Sequence, residues 1–140
     1  DELIHFLLPK ENIVWTYVVE NEVDGKAQVT DFFSMYRLEQ SCTSKEELGH
    51  NYDKTQSGCM FYYGLAENNL KEIIKKAMYC ARDEMDCDAF SVMTIMDNKM
   101  DLFAGELGFL PGDGALHWYL VNWSLGEHDL SSNDIGTILL

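Results

Sequence analysis

Metal ligands, nucleophiles and phosphate cradles are few in this chain. The four cysteines are Cys42, Cys59, Cys80 and Cys87, and the four histidines are His5, His50, His117 and His128. None of them forms a C-x-x-C or H-x-x-x-H pair, the local spacing from which zinc sites are usually built, so the pattern argues against a metal. A buried cysteine is normally inert, and Cys59, without a nearby base, is not read as a nucleophile. Gly112-x-Gly114 has two glycines of a phosphate-binding loop but lacks the third and the helix that should follow. Pro111-Gly112-Asp113-Gly114 reads instead as a tight turn. The tail from Ile135 to Leu140 is apolar to its last residue, and on residue types alone it is an edge strand packed on a core.

The elements that must hold such residues belong to a globular chain. Its 140 residues amount to one domain, and 46% are hydrophobic, with 7 Phe, 7 Tyr and 3 Trp, enough to fill a core. Against 10 basic residues stand 24 acidic ones, a net charge of −14. Such a surface repels phosphate backbones and anionic headgroups, making nucleic acid and bare membrane poor partners and cationic peptides better ones. No apolar run approaches a membrane span, no signal peptide is visible, and the cytosol is the expected compartment.

Ile13–Glu20 (IVWTYVVE) has the β-branched and aromatic content of a strand. Asn21–Gly25 supplies a turn, because Asp-Gly tolerates positive φ. A second strand is expected over Ala27–Leu38, with aromatics on both faces and hence covered on both sides. The polar stretch 39–58 reads as a surface loop or short helix, and Cys59–Leu65 as a third strand. Asn69-x-x-Glu72 opens a helix with capping-box form, and Leu70, Ile73, Ile74, Ala77, Met78, Ala81 and Met85 follow one buried face. A buried strand over Ala89–Ile95, a short helix capped by Asn98 and reaching Leu107, and an aromatic strand over Ala115–Trp123 complete the pattern. Trp118, Tyr119 and Trp123 are assigned to the core. Alternating β and α elements of this kind predict a mixed α/β sheet with helices against it.

Three segments carry more than a fold class. Val18-Val19-Glu20-Asn21 followed by Val29-Thr30-Asp31-Phe32 is similar to the VVEN…VTDF hairpin of the eukaryotic N-myristoyltransferases. Gly112-Asp113-Gly114-x-Leu116-x-x-Tyr119-x-x-Asn122-Trp123 resembles that family's GDGxLxYYxYNW stretch, with Asp97-Asn98-Lys99 upstream, and Ile138-Leu139-Leu140 resembles its apolar end. The resemblance runs from Leu3 to Leu140 and covers the second half of the family's catalytic unit. It implies a mixed, largely antiparallel, acetyltransferase-like sheet with flanking helices. It also implies that myristoyl-CoA is held mainly by an N-terminal half, a further partner. The acetyltransferase loop Q/R-x-x-G-x-G/A is missing here, so no cofactor is expected on this half alone.

The implied reaction transfers myristate from CoA to the α-amine of an N-terminal glycine. In the family the proton acceptor is the main-chain carboxylate of the last residue, here Leu140. Between free groups that transfer is uphill by about 4 pK units, roughly 6 kcal/mol. Burial reverses the comparison, because an ion pair loses two solvation shells and a neutral pair loses little. The resemblance places Asp113, Gly114 and Leu116 on the wall that meets the peptide, although Leu116 serves equally well as a core leucine. A pocket serine falls at Gln40 or Ser41, a pocket tyrosine is replaced by Cys59, and a pocket asparagine by Ser91. The last two changes are to smaller side chains, which makes the groove roomier. This half alone is expected to be inactive and, with its docking face bare, to self-associate. The competing reading is a non-catalytic α/β module that holds basic peptides on its acidic surface.

Overall fold

The computed structural model describes residues 2–41, 54–66, 68–112 and 114–136, and the backbone alone at Val23. The chain forms two compact units, Asp1–Val92 and Met93–Leu140.

The first unit is built on a hairpin. Strands β1 (Val14–Val23) and β2 (Lys26–Ser41) pair antiparallel, and the chain reverses at Asp24 and Gly25 with φ of 51° and 73°. These are the positive angles expected of Asp-Gly. Strand β3 (Lys54–Gly64) adds antiparallel to β2, and the three-residue β4 (Ala89–Ser91) adds parallel to β3, giving the order β1-β2-β3-β4. The sheet is therefore mixed and largely antiparallel, as the sequence implies.

Helices lie on both faces. Helix α2 (Leu70–Asp83) starts where expected, its cap Asn69 accepting the Glu72 N–H through Oδ1 at 3.0 Å. Its buried residues Ile73, Ile74, Ala77 and Ala81 form the apolar stripe, and burying each isoleucine contributes about 1.5–3 kcal/mol. A Cβ added at Gly58 would stand 3.2 Å from the Ala81 Cβ, so the missing side chain lets helix and sheet approach closely. From the same face the Tyr17 hydroxyl donates to Glu84 at 2.6 Å, and Arg37 donates to the Met85 carbonyl at 3.1 Å. Side chains alternate along a strand, so Thr16, Ser34 and Tyr36 point to the other face. There Thr16 donates to the Leu7 carbonyl of α1 (Glu2–Leu7) at 2.5 Å, and the Phe6 ring stands edge-on to Phe61 at 6.3 Å. Covered from both sides, Phe33, Ser34, Met35 and Tyr36 are all buried, as the aromatics on both faces of β2 require.

The VVEN and VTDF segments are joined by a chain of hydrogen bonds. Asn21 Nδ2 donates to Thr30 Oγ1 at 2.8 Å, and Thr30 donates to Asp31 Oδ2 at 2.7 Å. Asp31, 2% exposed, also accepts the N–H groups of Ala66 and Asn68 and the Asn68 side-chain amide, at 2.9, 3.1 and 2.8 Å. It thereby fastens the loop entering α2 to the hairpin. Burial pushes this carboxyl up, but the hydrogen bonds from Thr30, Asn68 and Ala66 together outweigh it and hold it well below the usual carboxylate range.

Several expectations are corrected. Residues 39–41 and 54–58 are strand rather than loop, because cross-strand partners support them: Glu39 pairs with Gln56 and carries an ion pair to Lys54 at 2.6 Å. Met78 is 37% exposed, since at 100° per residue it stands about 90° from the centre of the stripe. The strand expected over Ala89–Ile95 keeps only Ala89–Ser91, with both ends exposed, because its pairing with β3 stops at Cys59↔Ser91. Helix α1 has no counterpart in the sequence reading.

In the second unit Asn98 is buried and donates from its side chain to the Met93 carbonyl at 2.9 Å, so it ties a turn instead of capping a helix. A π-helical segment, Asp101–Glu106, follows, with Phe103 buried and edge-on to Phe109 at 5.3 Å. Residues 115–123 are not a strand. Tyr119 and Trp123 are each 81% exposed and Trp118 39%, against the core role expected of them. No strand pairs with this segment among the described residues, and without a ladder the alternation of its side chains has no sheet to act on.

Candidate functional site

The pairing register aligns two of the expected pocket residues. Cys59 on β3 is the direct partner of Tyr36 on β2 and of Ser91 on β4, so Tyr36, Cys59 and Ser91 form one row across three strands. Directly paired residues share a face, and this is the face opposite α2. Exposure rises along the row: Tyr36 is buried, Cys59 half-buried and Ser91 exposed. The Tyr36 ring stands edge-on to Phe61 at 5.7 Å, an arrangement that fixes its plane.

Burial first, and the neighbouring Cys59 second, push the Tyr36 phenol above its ordinary value. Burial also pushes the Cys59 thiol up, partly offset by the neighbouring Tyr36. Both groups are therefore neutral at physiological pH. The row can give and accept hydrogen bonds, and Cys59 is poorly suited to nucleophilic attack.

Gln40 and Ser41 sit at the exposed end of β2, paired with Thr55 and Lys54. Strand alternation puts Gln40 on the face of Tyr36, Cys59 and Ser91, and Ser41 on the other. Geometry thus favours Gln40 of the two alternatives, at about 13 Å along the strand from Tyr36. Gly114 and Leu116 belong to the second unit and are exposed, Leu116 at 54%. Asp113 and Leu140 lie outside the described residues. Tyr36 escaped the sequence reading: period-2 alternation groups it with Leu38 and Gln40, but its place beside Cys59 depends on a register that a single sequence does not carry.

Residues 1–138 match the family profile of the C-terminal domain of myristoyl-CoA:protein N-myristoyltransferase. The chain belongs to this family. It is 34% identical over 140 residues to a probable glycylpeptide N-tetradecanoyltransferase of Caenorhabditis elegans, covering 99% of this chain and 28% of that protein. It is 30% identical over 140 residues to glycylpeptide N-tetradecanoyltransferase 1 of Arabidopsis thaliana, covering 100% of this chain and 30% of that one. The fold matches a crystal structure of Saccharomyces cerevisiae N-myristoyltransferase with bound myristoyl-CoA and inhibitors at a TM-score of 0.62 and 29% identity, over 81% of this chain and 29% of that chain. This N-myristoyltransferase domain thus spans 28% and 30% of the length of those two curated relatives. Among its described residues no helix is long and apolar enough to cross a membrane.

Proposed function

We propose that this chain forms the peptide groove, and supplies the base, of a cytoplasmic enzyme that transfers myristate from myristoyl-CoA to the N-terminal glycine of proteins. The observation that carries the reading is the alignment of Cys59 and Ser91, with Gln40 on the same face, in a chain of this family. These side chains border the incoming peptide, and the family resemblance adds Asp113, Gly114 and Leu116 to the residues that meet it. A net charge of −14 favours substrates with basic residues after the glycine.

The chemistry begins with a proton. The glycine α-ammonium gives it to the main-chain carboxylate of Leu140, and the freed lone pair attacks the thioester carbonyl. The C–N bond forms, the C–S bond breaks, CoA leaves as a thiolate that takes up the second proton shed by the attacking nitrogen, and Leu140 returns its own to solvent. In a dry cleft the neutral acid–amine pair is favoured over the ion pair, which makes a weak base sufficient. Myristoyl-CoA is bound mainly by an N-terminal half, and this half alone does not turn over. The exposed side chains of Leu110, Tyr119, Val121 and Trp123 support a second half covering them.

The test is to extend the chain by a few residues beyond Leu140 in enzyme reconstituted with the N-terminal half. Acyl transfer should be abolished while peptide binding survives. Full activity in the extended protein would refute the terminal carboxylate as base. Equal peptide binding with no turnover even in the unextended protein would favour a pure recognition module.

A further inference from the structure

We propose that Asp88 is a positioning residue of the peptide groove: bonded to Gln56 through both its main chain and its side chain, it fixes the register that sets Ser91 opposite Cys59. The inference rests on the reading of Cys59 and Ser91 as groove surface and concerns what holds Ser91 in place. Strand β4 is a weak element, the outermost of the four, three residues long and exposed at both ends. Just before it, the Asp88 N–H donates to the Gln56 carbonyl at 2.8 Å, and the Gln56 N–H donates to Asp88 Oδ2, also at 2.8 Å. One residue thus takes both main-chain groups that Gln56 turns toward β4. A longer parallel ladder would offer that N–H a carbonyl farther back on the neighbouring strand, but the chain turns away at Asp86, whose φ is 52°. The carboxylate stands in for the carbonyl. Gln56 is itself anchored, paired with Glu39 on β2 and donating from its side chain to Glu39 Oε2 at 2.9 Å. The clamp acts on register. A slip of one residue would turn every β4 side chain to the opposite face and pull Phe90 from Gly58, where an added Cβ would stand 3.2 Å from the ring. A slip of two would keep the faces but leave Ala89 or Met93 opposite Cys59 and break both bonds at Asp88.

Asp88→Ala removes the side-chain half of the clamp and, at an exposed position, leaves no cavity. In enzyme reconstituted with the proposed N-terminal half, the KM for a glycine-initiated peptide should rise about three- to tenfold with kcat unchanged, the loss of the one neutral hydrogen bond that a misplaced Ser91 forfeits. Asp88→Asn keeps an oxygen that accepts the Gln56 N–H and should bring KM back to within about twofold of the parent. Ser91→Ala should raise KM about as much as Asp88→Ala, and the double variant should be no worse than either single one, as expected if Asp88 acts through Ser91. In the 140-residue chain, hydrogen exchange followed by NMR should show the Gln56 amide exchanging about tenfold faster in Asp88→Ala, with the β1–β2 amides unchanged. An unchanged KM in Ser91→Ala would sink the groove reading itself. A raised KM in Ser91→Ala beside an unchanged one in Asp88→Ala would leave the groove in place and overturn the role given to Asp88. So would an Asp88→Asn enzyme as impaired as Asp88→Ala, losses that add in the double variant, or a Gln56 amide that exchanges as slowly as in the parent.

Discussion

Two stretches of this chain carry nearly the same mixture of aromatic and branched residues, and only one of them is a strand. In β2, Phe33, Ser34, Met35 and Tyr36 are all buried, with β1 on one side and β3 on the other satisfying the backbone. In residues 115–123, Leu116, Tyr119, Val121 and Trp123 are 54%, 81%, 74% and 81% exposed. Composition does not separate the two; the availability of a neighbouring ladder does. Strand propensity measures how well a side chain fits a pleated, half-buried surface, and where no such surface is supplied the same residues are left in solvent. Each region therefore makes a different demand on mutation. The sheet unit should lose stability when its core is cut, and the aromatic segment should not.

The largest loss is expected from Ile74→Ala. This side chain is fully buried beneath α2, and truncation costs the transfer free energy plus a cavity, about 2–5 kcal/mol. Urea unfolding of the 140-residue chain measures it. A loss below about 1 kcal/mol would mean that the helix is not packed on the sheet as described, and the contrast between the regions would vanish.

Next comes Asp31→Asn, which keeps the shape of the side chain but removes the charge that collects four donors. The loss should be smaller than for Ile74→Ala and should depend on pH. Because the folded carboxyl lies below its unfolded value near 3.9, its contribution is fully present above that value and is lost as pH falls through the folded one. Thermal melts of the parent chain should show stability declining on acidification below about pH 4. The variant should start lower at pH 7 and show a shallower decline. Parallel curves for the two proteins would remove Asp31 as the tie between hairpin and helix.

Much of the first unit was legible because its signals are local. Asp24-Gly25 announces a reversal through its backbone angles, Asn69 announces a helix start through its side-chain oxygen, and Ile73, Ile74, Ala77 and Ala81 announce a face through their spacing. What escaped was non-local. The polar ends of β2 and β3 look like a loop until Glu39 is seen opposite Gln56 and next to Lys54. Asn98 looks like a cap until its amide is found on the Met93 carbonyl. The candidate site divides the same way: family resemblance supplied Cys59, Ser91 and the Gln40/Ser41 alternative, whereas Tyr36 and the preference for Gln40 come from register alone.

Asn69→Ala sharpens the local half of that distinction. Removing the oxygen that accepts the Glu72 N–H should cost about 1 kcal/mol, within the 0.5–2 kcal/mol typical of N-caps. Native-state hydrogen exchange should place the loss in the first turn of α2 and leave the β1–β2 pairing protected. A uniform loss of protection across the sheet would show that the cap acts on the whole unit and that the signal was less local than its sequence suggests.

Trp123→Ala is the smallest expected effect and the most discriminating one. A tryptophan in a core costs about 3–5 kcal/mol when cut to alanine. One that is 81% exposed has little packing to lose, and surface substitutions of this kind usually fall within about 0.5 kcal/mol. The core role expected from sequence and the exposed position differ by several kcal/mol on the same urea titration, well outside its error. A near-zero change in the isolated chain, repeated for Tyr119→Ala, would establish that these rings do not hold this chain together. If the same two substitutions then weaken association with the proposed N-terminal half, the aromatic segment stabilises an interface in place of a sheet. A loss of 3 kcal/mol or more from either substitution in the isolated chain would return residues 115–123 to the core and erase the difference between the two regions.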